Sequence, residues 1–260
     1  MRGRGIMPVY GREMRAYFTS PIAYVVLTTF LLLAGLFFMN ALREYVAFDS
    51  YVRERMTAAG QEVQPASVSL YLVRRLMTSM AALSLFVLPF ITMGLFADEH
   101  RSGTMELLLT SPLDVMDIVL AKFLAASTVL ALMLILALGL TCSLFAYGNP
   151  HAPTIFLGFL GLFLQGEAFL VIGMFISSLT RSQVVAGVGG LGAVLLLWLA
   201  GLIGDPGTTV GQWLNELSLV GHFEDFSKGI FDTKHVVFYL SFVFLGLFLT
   251  LRSIESLRYR

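Results

Sequence analysis

Residues 97–125 read ADEHRSGTMELLLTSPLDVMDIVLAKFLA, a polar, proline-broken stretch between two apolar runs. Asp98, Glu99, His100, Arg101 and Glu106 crowd its start, and Ser111 and Pro112 interrupt it, in a chain of mean hydropathy +0.81. Met105, Leu108 and Leu109 fall at helical spacing among charged neighbours, which predicts a short amphipathic helix hinged at both ends. Ser111 with Asp114 has the spacing of a capping box, and Pro112 suits a first helical turn, so a fresh helix is expected from about residue 113. On pattern alone the segment is either a surface-lying loop or a short helix across the mouth of the flanking runs.

The apolar runs set the class. Of 260 residues, 57% are hydrophobic and 13% charged, against about 25% charged in a soluble domain. Runs this long and unbroken predict a single-domain, all-α integral membrane protein. Seventeen basic residues balance seventeen acidic ones, so no net charge points to nucleic acid. The single Cys142 rules out an intramolecular disulfide. Arg2, Arg4, Arg12 and Arg15 precede the first run in the manner of a secretory leader. That run, 22–42, is 21 residues long, roughly 31 Å as a helix, which exceeds the ~7–15 residues of a leader's apolar core.

Six spans are expected, at about 22–42, 76–97, 113–147, 154–180, 184–204 and 235–252. With the N-terminus inside, ten basic residues fall on inner segments and seven on outer ones, so both termini and the 97–112 segment are expected in the cytoplasm. Thr-Ser-Pro occurs at residues 19–21 and 110–112, each before a span that would leave the cytoplasm; Thr180 with Gln183 gives T-x-x-Q before the fifth. Beyond span one, Tyr45, Phe48 and Val52 share a face, which predicts either a continuing helix or a separate interfacial one. Between spans five and six, Asp205, Pro206 and Gly207 end a helix. Trp213, Leu217, Val220, Phe223 and Phe226 then suggest an interfacial or re-entrant segment. Gly148, Asn149 and Pro150 read as a tight turn.

No G-x-x-x-x-G-K-[ST], H-E-x-x-H or G-x-S-x-G occurs, and the four histidines are scattered, so neither catalysis nor a metal site is expected. Two intramembrane features remain. Glu167 is the one ionisable residue deep in a span, where a charge costs at least ~2.5 kcal/mol. It reads as a packing or subunit-contact residue, or as part of a substrate path. Around 187–193, GVGGLGA pairs Ala186 with Gly190 and Gly189 with Ala193 at small-x-x-x-small spacing, for a helix seam within the chain or between two copies.

Glu99, the run Arg101, Ser102, Gly103, Thr104, then Glu106 to Pro112, and Lys122 with Phe123 resemble the pattern E-x-R-S-G-T-x-E-L-L-L-T-S-P…G-K-[FY]. That pattern marks permease subunits of type-2 ABC exporters, the group with the nitrous-oxide-reductase maturation and gliding-motility permeases. Ala121 stands where that family commonly has Gly. Residues 177–183, SSLTRSQ, are similar to its S-S-L-T-x-[NS]-Q, and 222–229, HFEDFSKG, resemble the H-F-x-x-F-x-[KR]-G of the gliding-motility branch.

The resemblance implies a non-catalytic permease of the bacterial inner membrane. It implies a second permease subunit, two ATPase subunits that bind ATP and Mg in place of any cofactor here, and room for a periplasmic auxiliary protein. It also implies that the 97–112 segment is a coupling helix, with Glu99, Arg101, Gly103, Thr104, Met105, Glu106, Leu108 and Leu109 meeting the ATPase. Rival readings are a transducer driving a periplasmic or motility partner, an ATP-independent channel or secondary transporter, and a membrane enzyme.

Overall fold

The computed structural model describes residues 5–59, 69–106, 113–147, 150–203 and 208–258. Among the described residues there is no strand, and six helices are long and apolar enough to cross a membrane. An amphipathic helix that the sequence reading did not assign, α1 (Ile6–Thr19), precedes them. Ser20 then turns the chain. Its extended backbone ends α1, its hydroxyl accepts from the Ile22 amide at 3.2 Å, and Pro21 fills the first helical position of α2 (Pro21–Ala58). At 38 residues α2 is about 57 Å long, so the first span continues as one helix well past ~30 Å of hydrocarbon. Phe48 stacks on Tyr71 with ring centroids 4.8 Å apart, tying this extension to the start of the second span.

The second span is a π-helical turn (Ser69–Val73), then α3 (Arg74–Thr92), a non-helical turn at 93–96, and α4 (Ala97–Ser102). One hydroxyl holds that turn. Ser177 Oγ accepts from the amides of Phe96 and Ala97 at 3.1 Å each and donates to the Met93 carbonyl at 3.0 Å. In a buried setting these groups would otherwise be unpaired, at about 1–3 kcal/mol each.

The third span, α5 (Val115–Cys142), starts slightly later than expected. Asp114 sits in extended backbone at its N-cap and makes no side-chain cap bond. Ser111 and Pro112, the expected cap, lie outside the described residues, as do Gly148 and Asn149 of the expected turn and Asp205, Pro206 and Gly207. The fourth span is α6 (Ala152–Leu179) and the fifth α7 (Gln183–Ile203). Thr180 departs from the expected capping box: it ends α6, and its Oγ1 accepts from the Ser182 amide at 3.2 Å. Two short helices, α8 (Thr209–Leu217) and α9 (Leu219–Ser227), precede the sixth span, α10 (Thr233–Arg258).

Helix α6 is the hub, packed by α3, α5, α7, α9 and α10. It is apolar around its whole circumference, as a helix surrounded by others must be. Glycines let the neighbours in. A Cβ on Gly173 would lie 2.1 Å from Thr92 Oγ1, and one on Gly190 would lie 3.4 Å from the Gly173 backbone, so α3, α6 and α7 meet at one close crossing. In the first half of α6, Gly161 packs against Phe226 of α9, which is fully buried.

Gly173→Ala is therefore expected to destabilise by about 1–3 kcal/mol, because β-branched Thr92 cannot swing aside. Adding Thr92→Ala should recover part of that loss. Thermal unfolding of the purified single and double variants checks both outcomes.

Candidate functional site

The site assembles at the end of the bundle where α1, α4 and α5 meet. Lys122, about two turns into α5, is 2% exposed between Ala121 and Ala125, both fully buried, where small side chains allow α1 to lie close. Its Nζ is 3.1 Å from Glu13 Oε1 of α1 and 3.1 Å from Glu99 Oε1 of α4. Arg12 reaches the same two oxygens from the solvent side, at 2.7 and 2.9 Å. Two cations and two anions thus form a neutral square, with Lys122 further placed over the Phe96 ring at 5.3 Å. Arg12 is half exposed and adds little, whereas a buried ammonium without its carboxylates is costly. Tyr17 OH donates to the Ile91 carbonyl at 3.1 Å, and Tyr10 OH meets Thr128 Oγ1 at 3.0 Å, so α1 is clamped along its length.

From this anchor α4 projects to Gly103, whose φ of +71° is a left-handed conformation that glycine adopts without penalty. Ser102 Oγ donates to the Asp98 carbonyl at 2.8 Å and lies 2.9 Å from Thr104 Oγ1. Each described residue of E-x-R-S-G-T therefore has a place: Glu99 ties inward, Ser102 closes the helix, Gly103 turns it, and Arg101 and Thr104 face out. Glu106 is also exposed. Met105 departs from the expected outward apolar anchor. It is 5% exposed and belongs to the chain's own core, where it pins the segment to the bundle. Leu108 and Leu109 lie outside the described residues.

The other sequence-flagged residues lie elsewhere. Glu167 faces α5 deeper in the bundle, 6% exposed, and accepts from Ser127 Oγ at 2.5 Å. Its Oε2 and both amide atoms of neighbouring Gln165 have no hydrogen-bond partner among the described residues. Ala186 and Gly190 are buried within the chain, while Gly189 and Ala193 are half-buried, Gly189 beside Ile176.

At the opposite end, the H-F-x-x-F-x-K-G stretch docks α9. Phe223 and Phe226 fill the core, Gly229 turns at φ +80°, and Lys228 pairs with Glu224 at 3.1 Å, which reaches Arg74 at 2.8 Å. His222 Nε2 donates to the Glu216 carbonyl at 2.9 Å, and its Nδ1 lies 2.6 Å from His235 Nδ1. His235 Nε2 in turn lies 3.0 Å from Asp225 Oδ2. Only one proton fits between the two Nδ1 atoms. Burial holds His222 below its ordinary value, with His235 adding to the shift. Asp225 is also held low: burial raises it, but bonds from His235 and Lys228 outweigh that.

Residues 7–222 match the family described as ABC-2 family transporter protein. The chain belongs to that family. It is also 29% identical over 141 residues to a protein named "Probable multidrug ABC transporter permease YbhR" in Escherichia coli K12, and equally to the protein of that name in E. coli O157:H7. The match covers 52% of this chain and 37% of either relative. The ABC-2 chain is thus a multi-pass membrane protein whose motif residues Glu99 and Lys122, separated in sequence, form one contact.

Two outcomes are expected. Lys122→Met should cost about 3–5 kcal/mol by leaving Glu13 and Glu99 buried without their shared cation. Lys122→Met with Glu99→Gln should recover part of it, as read by thermal unfolding and by protease release of α1. At the other end, a depressed His222 binds its proton more weakly in the folded than in the unfolded state. Stability should accordingly be full above the ordinary value of 6.5 and fall as pH drops below it. A His222→Gln variant should show a flatter melting profile over the same acid range.

Proposed function

We infer that this ABC-2 protein is the transmembrane permease subunit of an ATP-driven exporter. In this reading it is a single permease domain running 1–260 in the bacterial inner membrane, with both termini in the cytoplasm. It pairs with a second permease subunit, identical or related, and with two separate ATPase subunits that bind ATP and Mg. The 97–112 segment is the coupling helix. The observation that carries the reading is the ion square. It fixes one end of α4 to α1 and α5 while Arg101, Ser102, Gly103, Thr104 and Glu106 are exposed to solvent at the other, the geometry of a short lever with an exposed contact face. The absence of a phosphate-binding loop in this chain agrees with hydrolysis in another one.

The side assignment rests on the basic-residue count, and the ion pairs are compatible with it: Arg12, Glu13, Glu99 and Lys122 meet at one end, and Arg74, Glu224 and Lys228 at the other. The H-F-x-x-F-x-K-G stretch favours the gliding-motility-like group within the nitrous-oxide and gliding-motility assemblage. A second reading, a transducer acting on a periplasmic auxiliary protein, is favoured by the outward length of α2.

Leu108→Ala with Leu109→Ala tests the coupling assignment. Burying each leucine in a partner groove contributes ~1.5–3 kcal/mol, so losing both should weaken ATPase binding by on the order of 100-fold. Yield and membrane insertion should be unchanged. ATPase pull-down and stimulated hydrolysis are measured on one preparation. Normal binding with lost detergent stability would mean that the leucines pack on the permease itself, and the coupling role would fall.

A further inference from the structure

Beside the ion square lies a space that the square does not use. A cavity of about 160 Å³ opens between α1, the start of α2, the turn at 93–96 and the start of α7. Glu13, Ser20, Asp98 and Gln183 supply its polar wall, and neither lysine nor arginine lines it. It adjoins, across Ile22, Phe90 and Met93, a groove of about 400 Å³ between α2 and α3. The groove is lined almost wholly by apolar side chains, Val25, Val26 and Val87 among them, and its size is that of a small-molecule site. Ile22, Val25 and Phe90 are each well exposed on the outside of the bundle.

The two acids differ. Glu13 Oε1 is already shared by Lys122 and Arg12. The Asp98 side chain is 43% exposed, but its Oδ1 is covered and has no hydrogen-bond partner among the described residues, and its ion pair to the exposed Arg101 guanidinium is 3.9 Å long. The Asp98 carboxylate also rests on Gly94, where a Cβ would lie 2.8 Å from Oδ2. A neutral ligand head would leave that oxygen desolvated and unpaired, and an anionic head would meet two carboxylates. A cationic head matches both, and Tyr17 and Phe90 add aromatic rings to the wall.

We propose that the joined cavity and groove bind a membrane-dwelling organic cation. Its apolar tail lies between α2 and α3, and its protonated or quaternary amine sits against Asp98. The binding stands by itself; only the ligand's fate as cargo rests on the export reading.

The test uses the full chain, without ATPase, in phosphatidylcholine nanodiscs. A spin-labelled dodecyldimethylammonium probe is titrated below its micellar concentration and compared with empty nanodiscs. A saturable immobilised population is expected, displaced by dodecyltrimethylammonium but not by dodecyl sulfate or dodecanol. Asp98→Asn should weaken it about ten-fold. Gly94→Ala, which displaces the carboxylate and keeps its charge, should also weaken it, and size-exclusion profiles confirm that each variant is folded. If Asp98→Asn does not fold, the Gly94→Ala titration decides. No saturable population, equal competition by all three dodecyl compounds, or unchanged affinity in the folded variants would overturn the proposal. So would binding confined to monomers, which would give the groove to a second copy. Binding that persists while a reconstituted ATPase complex shows no ATP-driven efflux of the probe would refute export and leave the site standing.

Discussion

The ammonium of Lys122 is the group around which one end of the bundle is built. A cation 2% exposed is stable only where carboxylates surround it, and they come from two elements far apart in sequence, Glu13 and Glu99. Because both carboxylates must reach one point on α5, the positions of α1 and α4 are set together. The turn at 93–96 follows from this. It redirects the second span so that α4 presents Glu99 to Lys122, and Ser177 satisfies the backbone groups which that turn frees. This end is thus one polar assembly on an apolar bundle.

The bundle itself depends on close approach. Lipid offers no hydrophobic drive between helices, so contacts at Gly173, Gly190 and Gly161 supply the packing that holds α6 at the centre. The same economy of space explains why Met105 is turned into the core, since an amphipathic segment at the membrane surface is held by whatever apolar side chain reaches inward.

Hydropathy made the six spans legible, because twenty or so apolar residues have few alternatives in a membrane. Ser20 with Pro21 was read correctly, since an N-cap and a first-turn proline act locally. The Thr180 cap was not, because extended backbone at Thr180 placed the helix end elsewhere, and the third span begins at Val115 rather than at about 113 because Asp114 is itself extended. Helix α1 was missed because its arginines drew the reading toward a leader. Val9, Glu13 and Tyr17 recur every four residues and were the available signal. The motif residues were found by resemblance, but their meaning was not. No spacing rule connects Glu99 to Lys122 across 23 positions, and only the fold shows them in contact.

The uninterrupted length of α2 has a mechanical consequence. Its root at Ser20 adjoins the ion square through α1, and its far tip is about 57 Å away. A rod rotated at its root sweeps an arc in proportion to its length, so a tilt of about 5° there displaces the tip by about 5 Å. Small angular changes at the charged end are converted into displacements of side-chain size beyond the opposite face of the bilayer, with no joint along the helix to absorb them.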